Sequence, residues 1–238
     1  MFRLLLCFCL LGAVCAVCPT ASGAAGRMSA PAAAASAAAS LDAATWSDVG
    51  VGSIRDTVFE MALGAASCAV RTGAVKDPET LTVIDYSKPS SERRLWVFDL
   101  KSRELVYEEL VAHGQGSGAN MATQFSNDDE SHQTSLGLFV TGDTYVGKNG
   151  YSLRLDGLDQ GVNDRARDRA IVMHGAPYVS EQFVKATGRL GRSWGCPAIS
   201  AAVARQMIDR VKGGGLVFAY YPAAGWIKTS KYLGGCRA

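Results

Sequence analysis

The chain has 238 residues, with 24 Lys and Arg against 22 Asp and Glu, three His and a formal charge of +2. That balance leaves no electrostatic footprint for DNA or RNA, and a composition 48% hydrophobic and 19% charged excludes a disordered chain. No heptad or fixed period runs through it, which excludes coiled coils, collagen and repeat arrays and predicts one domain with a sizeable core.

Met1-Phe2-Arg3 followed by the uncharged run Leu4 to Cys18 reads as a signal peptide. A basic start precedes an apolar stretch too short to span a bilayer comfortably, and small residues from Ala21 to Ala25 offer a cleavage site. An uncleaved membrane anchor is the alternative. The predicted segmentation is a signal over 1–25, an Ala/Ser/Pro-rich tether over 26–45 and one domain over 46–238, exported to the periplasm or cell envelope. Cys7, Cys9, Cys15 and Cys18 would leave with the signal, so Cys68, Cys196 and Cys236 remain. Either Cys68 pairs with Cys236 and Cys196 stays free, or all three are reduced. A thiol kept free outside the cytoplasm points to a function for Cys196.

Ser53-Ile54-Arg55-Asp56 has the form of a capping box, and Ile54, Val58, Met61, Ala65 and Cys68 form one helical stripe. On that stripe Cys68 reads as a buried core thiol ahead of a disulfide partner. Strands are predicted at Leu81 to Tyr86, Leu95 to Leu100, Leu105 to Val111, Leu136 to Thr141, Tyr151 to Leu155, Ala170 to His174 and Leu216 to Tyr221. The second and third of these form a hairpin across Lys101-Ser102-Arg103. Glycines crowd between His113 and Gly161, and Tyr145 with Lys148 lies in a Gly-rich loop placed to act as a lid. A late helix is predicted from Ala198 to Val211 on the stripe Ile199, Val203, Met207 and Ile208. The fold class is mainly β with flanking helices.

The chemistry concentrates at Gly191-Arg192-Ser193-Trp194-Gly195-Cys196-Pro197-Ala198. Pro197 suits the first position of the late helix, which puts Cys196 at a helix N-terminus where free amides and the dipole favour a thiolate. Gly195 lets backbone approach closely, so the Gly195 and Cys196 amides are candidate oxyanion donors. A nucleophilic thiol needs a base, and His174 ends an apolar strand before Gly175; His113 is its rival and His132 lies in a polar loop. A zinc site of Cys196, His174 and His113 lacks ligand spacing, no phosphate-binding Gly motif occurs, and no metal or cofactor is implied.

His174-Gly175 followed by Ser193-Trp194-Gly195-Cys196 resembles the signature of the L,D-transpeptidase (YkuD-type) catalytic domain. Further segments resemble its murein L,D-transpeptidase branch: Asp85 to Ser90, Leu95-Trp96-Val97, Val111 to Gly114, Phe125-Ser126-Asn127, Ser135-Leu136-Gly137, Thr141-Gly142, Gly150 to Leu155 and Arg169 to Gly175. The resemblance implies a β-sandwich-like domain acting on peptidoglycan stem peptides. Cys196 would be the nucleophile, His174 the base and the Gly175 carbonyl its orienting group. It also implies a thioester resolved by a neighbouring stem's amine, or by water in a carboxypeptidase; a non-catalytic wall-binding module is the third reading. Relatives carry Arg or Asn where this chain has Ala198, so Arg192, Arg154 or Arg189 would have to grip the substrate carboxylate. Ser193, Trp194 and Tyr145 complete the predicted substrate-facing set. No separate wall-binding repeat is evident, and beyond the N-terminal anchor no membrane partner is implied.

Overall fold

The computed structural model describes residues 41–234 and 236; the predicted signal and most of the tether lie outside them. Leu41 and Trp46 are already buried in the core, so the folded part reaches into the last residues read as tether. Trp46 closes a 3-10 turn (Ala43–Trp46) and meets Phe59 and Phe98 edge-on at 5.3 and 5.7 Å.

Helix α1 (Asp56–Arg71) buries the predicted stripe apart from the half-buried Met61. It starts two residues later than the capping box required: Arg55 is the N-cap with no side-chain bond, and the Ser53 hydroxyl bonds the Glu108 carboxylate instead. Cys68 is bridged to Cys236, which corrects the core-thiol reading and ties α1 to the chain's last described residue. A long-range bridge is invisible to helical periodicity, which registers only that the position is buried.

Nine strands follow: β1 (Thr80–Asp85), β2 (Leu95–Asp99), β3 (Glu104–Glu109), β4 (Val111–Ala112), β5 (Gly137–Gly147), β6 (Gly150–Gly157), β7 (Val172–Ala176), β8 (Ala198–Ser200) and β9 (Leu216–Tyr220). They form one sheet in the order β3-β2-β1-β9-β5-β6-β7-β8-β4. The implied two-sheet sandwich is therefore corrected to a single curled sheet. Its two edges, β3 and β4, are successive pieces of one segment broken at Leu110. The buried Arg94 spans the break: its backbone N–H donates to the Glu109 carbonyl at 3.1 Å, and its Nε and Nη2 donate to the Val111 carbonyl at 3.1 and 2.8 Å. Curling leaves few exposed edges and buries strand after strand on both faces, which explains the apolar runs of β1, β2 and β9.

Three short helices complete the chain: α2 (Glu181–Thr187), α3 (Ala204–Val211) and α4 (Ala224–Thr229). The late helix is the main correction. It begins at Ala204, because Ala198-Ile199-Ser200 is taken into the sheet between β7 and β4, with His174 opposite Ala198 and Gly175 opposite Ile199. Ile199 is fully buried there, so pairing on both sides outweighs the helical spacing that the same residue happens to satisfy. Among the described residues no helix is long and apolar enough to cross a membrane.

Candidate active site

Two adjacent parallel strands, β7 and β8, position the site. β7 carries His174, and the turn entering β8 carries Cys196 two residues before His174's partner Ala198. Gly175 is needed for this arrangement, because a Cβ there would lie 2.8 Å from the Ala204 Cβ and 3.3 Å from the Ala201 Cα where α3 packs on the strand. Cys196 is the free cysteine of the described residues and is 8% exposed. It lies in a turn ahead of a strand, so the dipole argument for its thiolate does not apply.

The turn is shaped from within. Gly195 sits at φ +118°, and a Cβ on it would be 2.8 Å from the Gln133 carbonyl. The Ser193 hydroxyl accepts from the Gly195 N–H at 3.1 Å and donates to the Cys196 carbonyl at 2.6 Å. Thr134 Oγ1 donates to the Gly195 carbonyl at 3.2 Å and accepts from the Gly114 N–H at 2.9 Å. Ser193 thus spends its hydroxyl on the loop rather than facing a ligand, and the Gly195 amide is already engaged.

The thiol of Cys196 lies on the backbone leading into β7. It accepts from the Val172 N–H at 3.4 Å and donates to the Ala170 carbonyl at 3.7 Å. Burial pushes its pKa up, against the pull of the Val172 N–H, the Arg169 guanidinium and its own N–H. His174 is 5% exposed, and its Nδ1 lies 3.1 Å from the Gly175 carbonyl. A carbonyl only accepts, so Nδ1 carries the proton and Nε2 is the basic nitrogen. Burial pulls the His174 pKa down, with the Gly175 carbonyl opposing. Burial thus disfavours the charged form of each group, and the thiol's bonds go to Val172 and Ala170 rather than to the imidazole.

The rival base, His113, has different surroundings. His113 is fully buried and its Nδ1 accepts from Arg94 Nη2 at 2.8 Å, which puts its proton on Nε2. Burial and then the Arg94 charge hold its pKa down at about 4. His132 accepts from Gln115 Nε2 at 2.9 Å and stacks on Trp194, ring centres 4.9 Å apart. Among the described residues no group of three or more His, Cys, Asp or Glu is placed to hold a metal ion.

The remaining predicted residues scatter. Trp194 is 66% exposed, and Lys148, from the turn between β5 and β6, brings its Nζ 5.6 Å from the Trp194 ring. Tyr145 is in β5, opposite Ser152, rather than in a loop, and Arg154 of β6 lies over its ring at 4.5 Å. Arg192 donates to the Gly118 carbonyl at 3.0 Å, holding the 115–118 turn, and Arg189 donates to the Leu190 carbonyl at 2.7 Å. A cleft of about 250 Å³ is lined by Asp129, Glu130, His132, Asp168, Arg169, Ala170 and Trp194; Ala170, whose carbonyl accepts from the thiol, reaches it, whereas Cys196 and His174 do not line it.

Three residues near the sulfur have no counterpart in the sequence reading. Tyr86 and Tyr178 lie close enough that the Cys196 charge adds to the burial that raises both; Tyr178 reaches about 12. Arg169 makes four bonds to the 126–135 segment: to the Ser126 carbonyl (2.8 Å), Ser135 Oγ (2.6 Å), Ser131 Oγ (3.1 Å) and the Gln133 carbonyl (2.8 Å). Tyr86 and Arg169 both fall within segments that carry the family resemblance, but nothing in their spacing ties them to Cys196.

The L,D-transpeptidase catalytic domain profile matches residues 52–220, which include His174, Gly175 and the whole Ser193 to Cys196 turn. Solved structures with a similar chain include an L,D-transpeptidase from Mycobacterium smegmatis at 17% identity and TM-score 0.38, covering 63% of this chain and 64% of that one. The helical cell shape determining protein Pgp2 from Campylobacter jejuni matches at 12% identity and TM-score 0.38, over 60% of this chain and 48% of that one. An L,D-transpeptidase from Stackebrandtia nassauensis matches at 12% identity and TM-score 0.37, over 79% and 92%. The chain spans less than two thirds of the Mycobacterium and Campylobacter proteins. No curated protein matches it significantly.

Proposed function

Because the chain belongs to the L,D-transpeptidase catalytic domain family, we propose that it cross-links peptidoglycan stem peptides through an acyl-enzyme on Cys196. One observation carries the reading: an imidazole whose Nδ1 is fixed by the Gly175 carbonyl sits on β7, and the free, buried thiol of Cys196 sits in the turn that enters the neighbouring parallel strand β8.

In this reading a stem tetrapeptide enters the cleft beside Trp194. The Sγ attacks the carbonyl between the L-centre of diaminopimelate and the terminal D-Ala, while its proton passes to His174 Nε2. The tetrahedral oxyanion takes the Cys196 N–H, since Ser193 engages that of Gly195. Collapse of the adduct breaks the C–N bond, and the imidazolium returns the proton to the departing D-Ala amine. A neighbouring stem's amine then attacks the thioester, gives its proton to Nε2 and releases the thiol. Burial of both groups suits this sequence, because it disfavours their charged forms and so favours proton transfer as the new bond forms. Arg154, which has no carboxylate partner among the described residues, is the guanidinium assigned to the substrate carboxylate in place of the family's residue at Ala198. Export to the cell envelope, where such stems occur, belongs to the same proposal.

Incubation with disaccharide-tetrapeptides and mass spectrometry of the products tests it. A cross-linked dimer with release of D-Ala is expected. Tripeptide without dimer would make the chain a carboxypeptidase, and unchanged substrate would leave only the wall-binding reading.

A further inference from the structure

A second groove lies near the turn of Cys196, separate from the cleft beside Trp194. It measures about 670 Å³, and its lining includes Gln124, Phe125, Asn127, Gln133, Tyr221 and Trp226. Gln133 joins it to the site: the same residue's carbonyl lies 2.8 Å from where a Cβ on Gly195 would stand. The groove thus begins one residue's width from the turn that presents the nucleophile.

Its chemistry is selective. None of its lining residues is Asp, Glu, Lys, Arg or His, although 19% of the chain is charged, so it does not favour a carboxylate, a phosphate or an amine. The rings of Phe125 and Tyr221, both half-buried, pack against each other 4.8 Å apart at 43°, and both residues line the groove. Trp226 is held rigidly, its Nε1–H donating to the Tyr221 carbonyl at 2.8 Å. Uncharged amides beside fixed aromatic faces suit a neutral sugar, whose C–H faces stack on rings while its hydroxyl and acetamido groups pair with amides. The volume is in the roughly 300–1,000 Å³ range of small-molecule clefts.

We propose that this groove binds the N-acetylated glycan strand to which the substrate peptide is attached, so that the sugar anchors the stem while its peptide crosses Gln133 to reach Cys196. The inference rests on the peptidoglycan reading above, and its occupant is a neutral amino-sugar oligomer.

The probe is chitotetraose, a peptide-free oligomer of N-acetylglucosamine, titrated into the full chain by calorimetry. Saturable binding at millimolar ligand is expected in the wild type and in Cys196→Ala alike, weakened about tenfold by Tyr221→Ala, the loss of one stacked ring. Gln124→Ala, at an exposed position, repeats the test without touching the core. Both variants should raise KM for a disaccharide-tetrapeptide while leaving turnover of the free tetrapeptide unchanged. No saturable binding by the wild type, or equal binding by both variants, overturns the inference while leaving the transpeptidase reading intact. Occupation of the groove by the chain's own residues before Leu41 would show as binding that appears only after that segment is removed, and would also overturn it. Sugar binding by a chain that turns over no stem peptide would keep the groove and remove the proposed reaction.

Discussion

Ser193→Ala separates a hydroxyl that builds the site from one that binds substrate. The Ser193 Oγ accepts from the Gly195 N–H and donates to the Cys196 carbonyl, in a side chain that is 6% exposed. Each such bond contributes about 1 kcal/mol net, and leaving the Gly195 N–H buried without a partner adds a further cost. The sum is about 2–3 kcal/mol. For a domain of this size, 1 kcal/mol moves Tm by about 2–4 °C, so a loss of about 5–10 °C is expected by calorimetry. The loosened turn also carries the nucleophile, and a displacement of about 1 Å at a reacting atom costs on the order of 10²-fold in kcat/KM. Both effects should appear together. An unchanged Tm with only KM raised would refute the reasoning and return Ser193 to the substrate-facing role that its place in the motif suggested.

Other expectations follow from the same geometry. The pKa of His113 is held at about 4 against an ordinary 6.5, so between those values the unfolded chain binds a proton that the folded chain does not. Stability should be whole above pH 6.5 and fall as pH drops toward 4, by roughly 3 kcal/mol, and His113→Gln should flatten the urea midpoints across that window. Iodoacetamide labelling of Cys196 should titrate above the ordinary thiol range, because burial raises the group, and Arg169→Gln should move the midpoint higher by removing the opposing charge; a midpoint below neutrality would mean a resting thiolate instead. The Cys68–Cys236 bridge closes a loop across 168 positions, for which chain entropy gives about 5 kcal/mol as an upper figure. Replacing both cysteines by Ser should lower the urea-derived stability by about 2–5 kcal/mol; an unchanged value would place the bridge's constraint outside the folding unit.

Much of this molecule was legible because strand and turn chemistry is local. The runs at Leu81, Leu95, Leu105 and Leu216 are β-branched and aromatic, and each became a strand within a residue or two of its predicted limits, whereas the run at Leu136 continues six residues beyond Thr141 to Gly147. What failed was decided at a distance. β4 and β8 span two and three residues, too short for any periodicity, and exist because β7 and the curl of the sheet bring hydrogen-bonding partners to them. Ala170 looked like the start of a strand, yet its φ of +53° sets β7 off at Val172 and turns its carbonyl toward the thiol. The dipeptides His174-Gly175 and Gly195-Cys196 were readable as a motif, whereas the groups around them were not. Arg169, Thr134 and Tyr86 come from separate segments and meet Cys196 only through the fold. The same holds for Arg94, whose burial between two edge strands gives no signal in the neighbouring sequence and yet holds the proton off His113 Nδ1.

The claim that matters most is that one sulfur forms the covalent intermediate. A tetrapeptide donor mixed with the full chain in the absence of any acceptor amine, quenched in acid and weighed intact, addresses it directly. The account predicts a mass gain equal to the donor less D-Ala, located by fragmentation on Cys196, and none in Cys196→Ala. An adduct on another residue, or consumption of the donor by the Cys196→Ala chain, would contradict it.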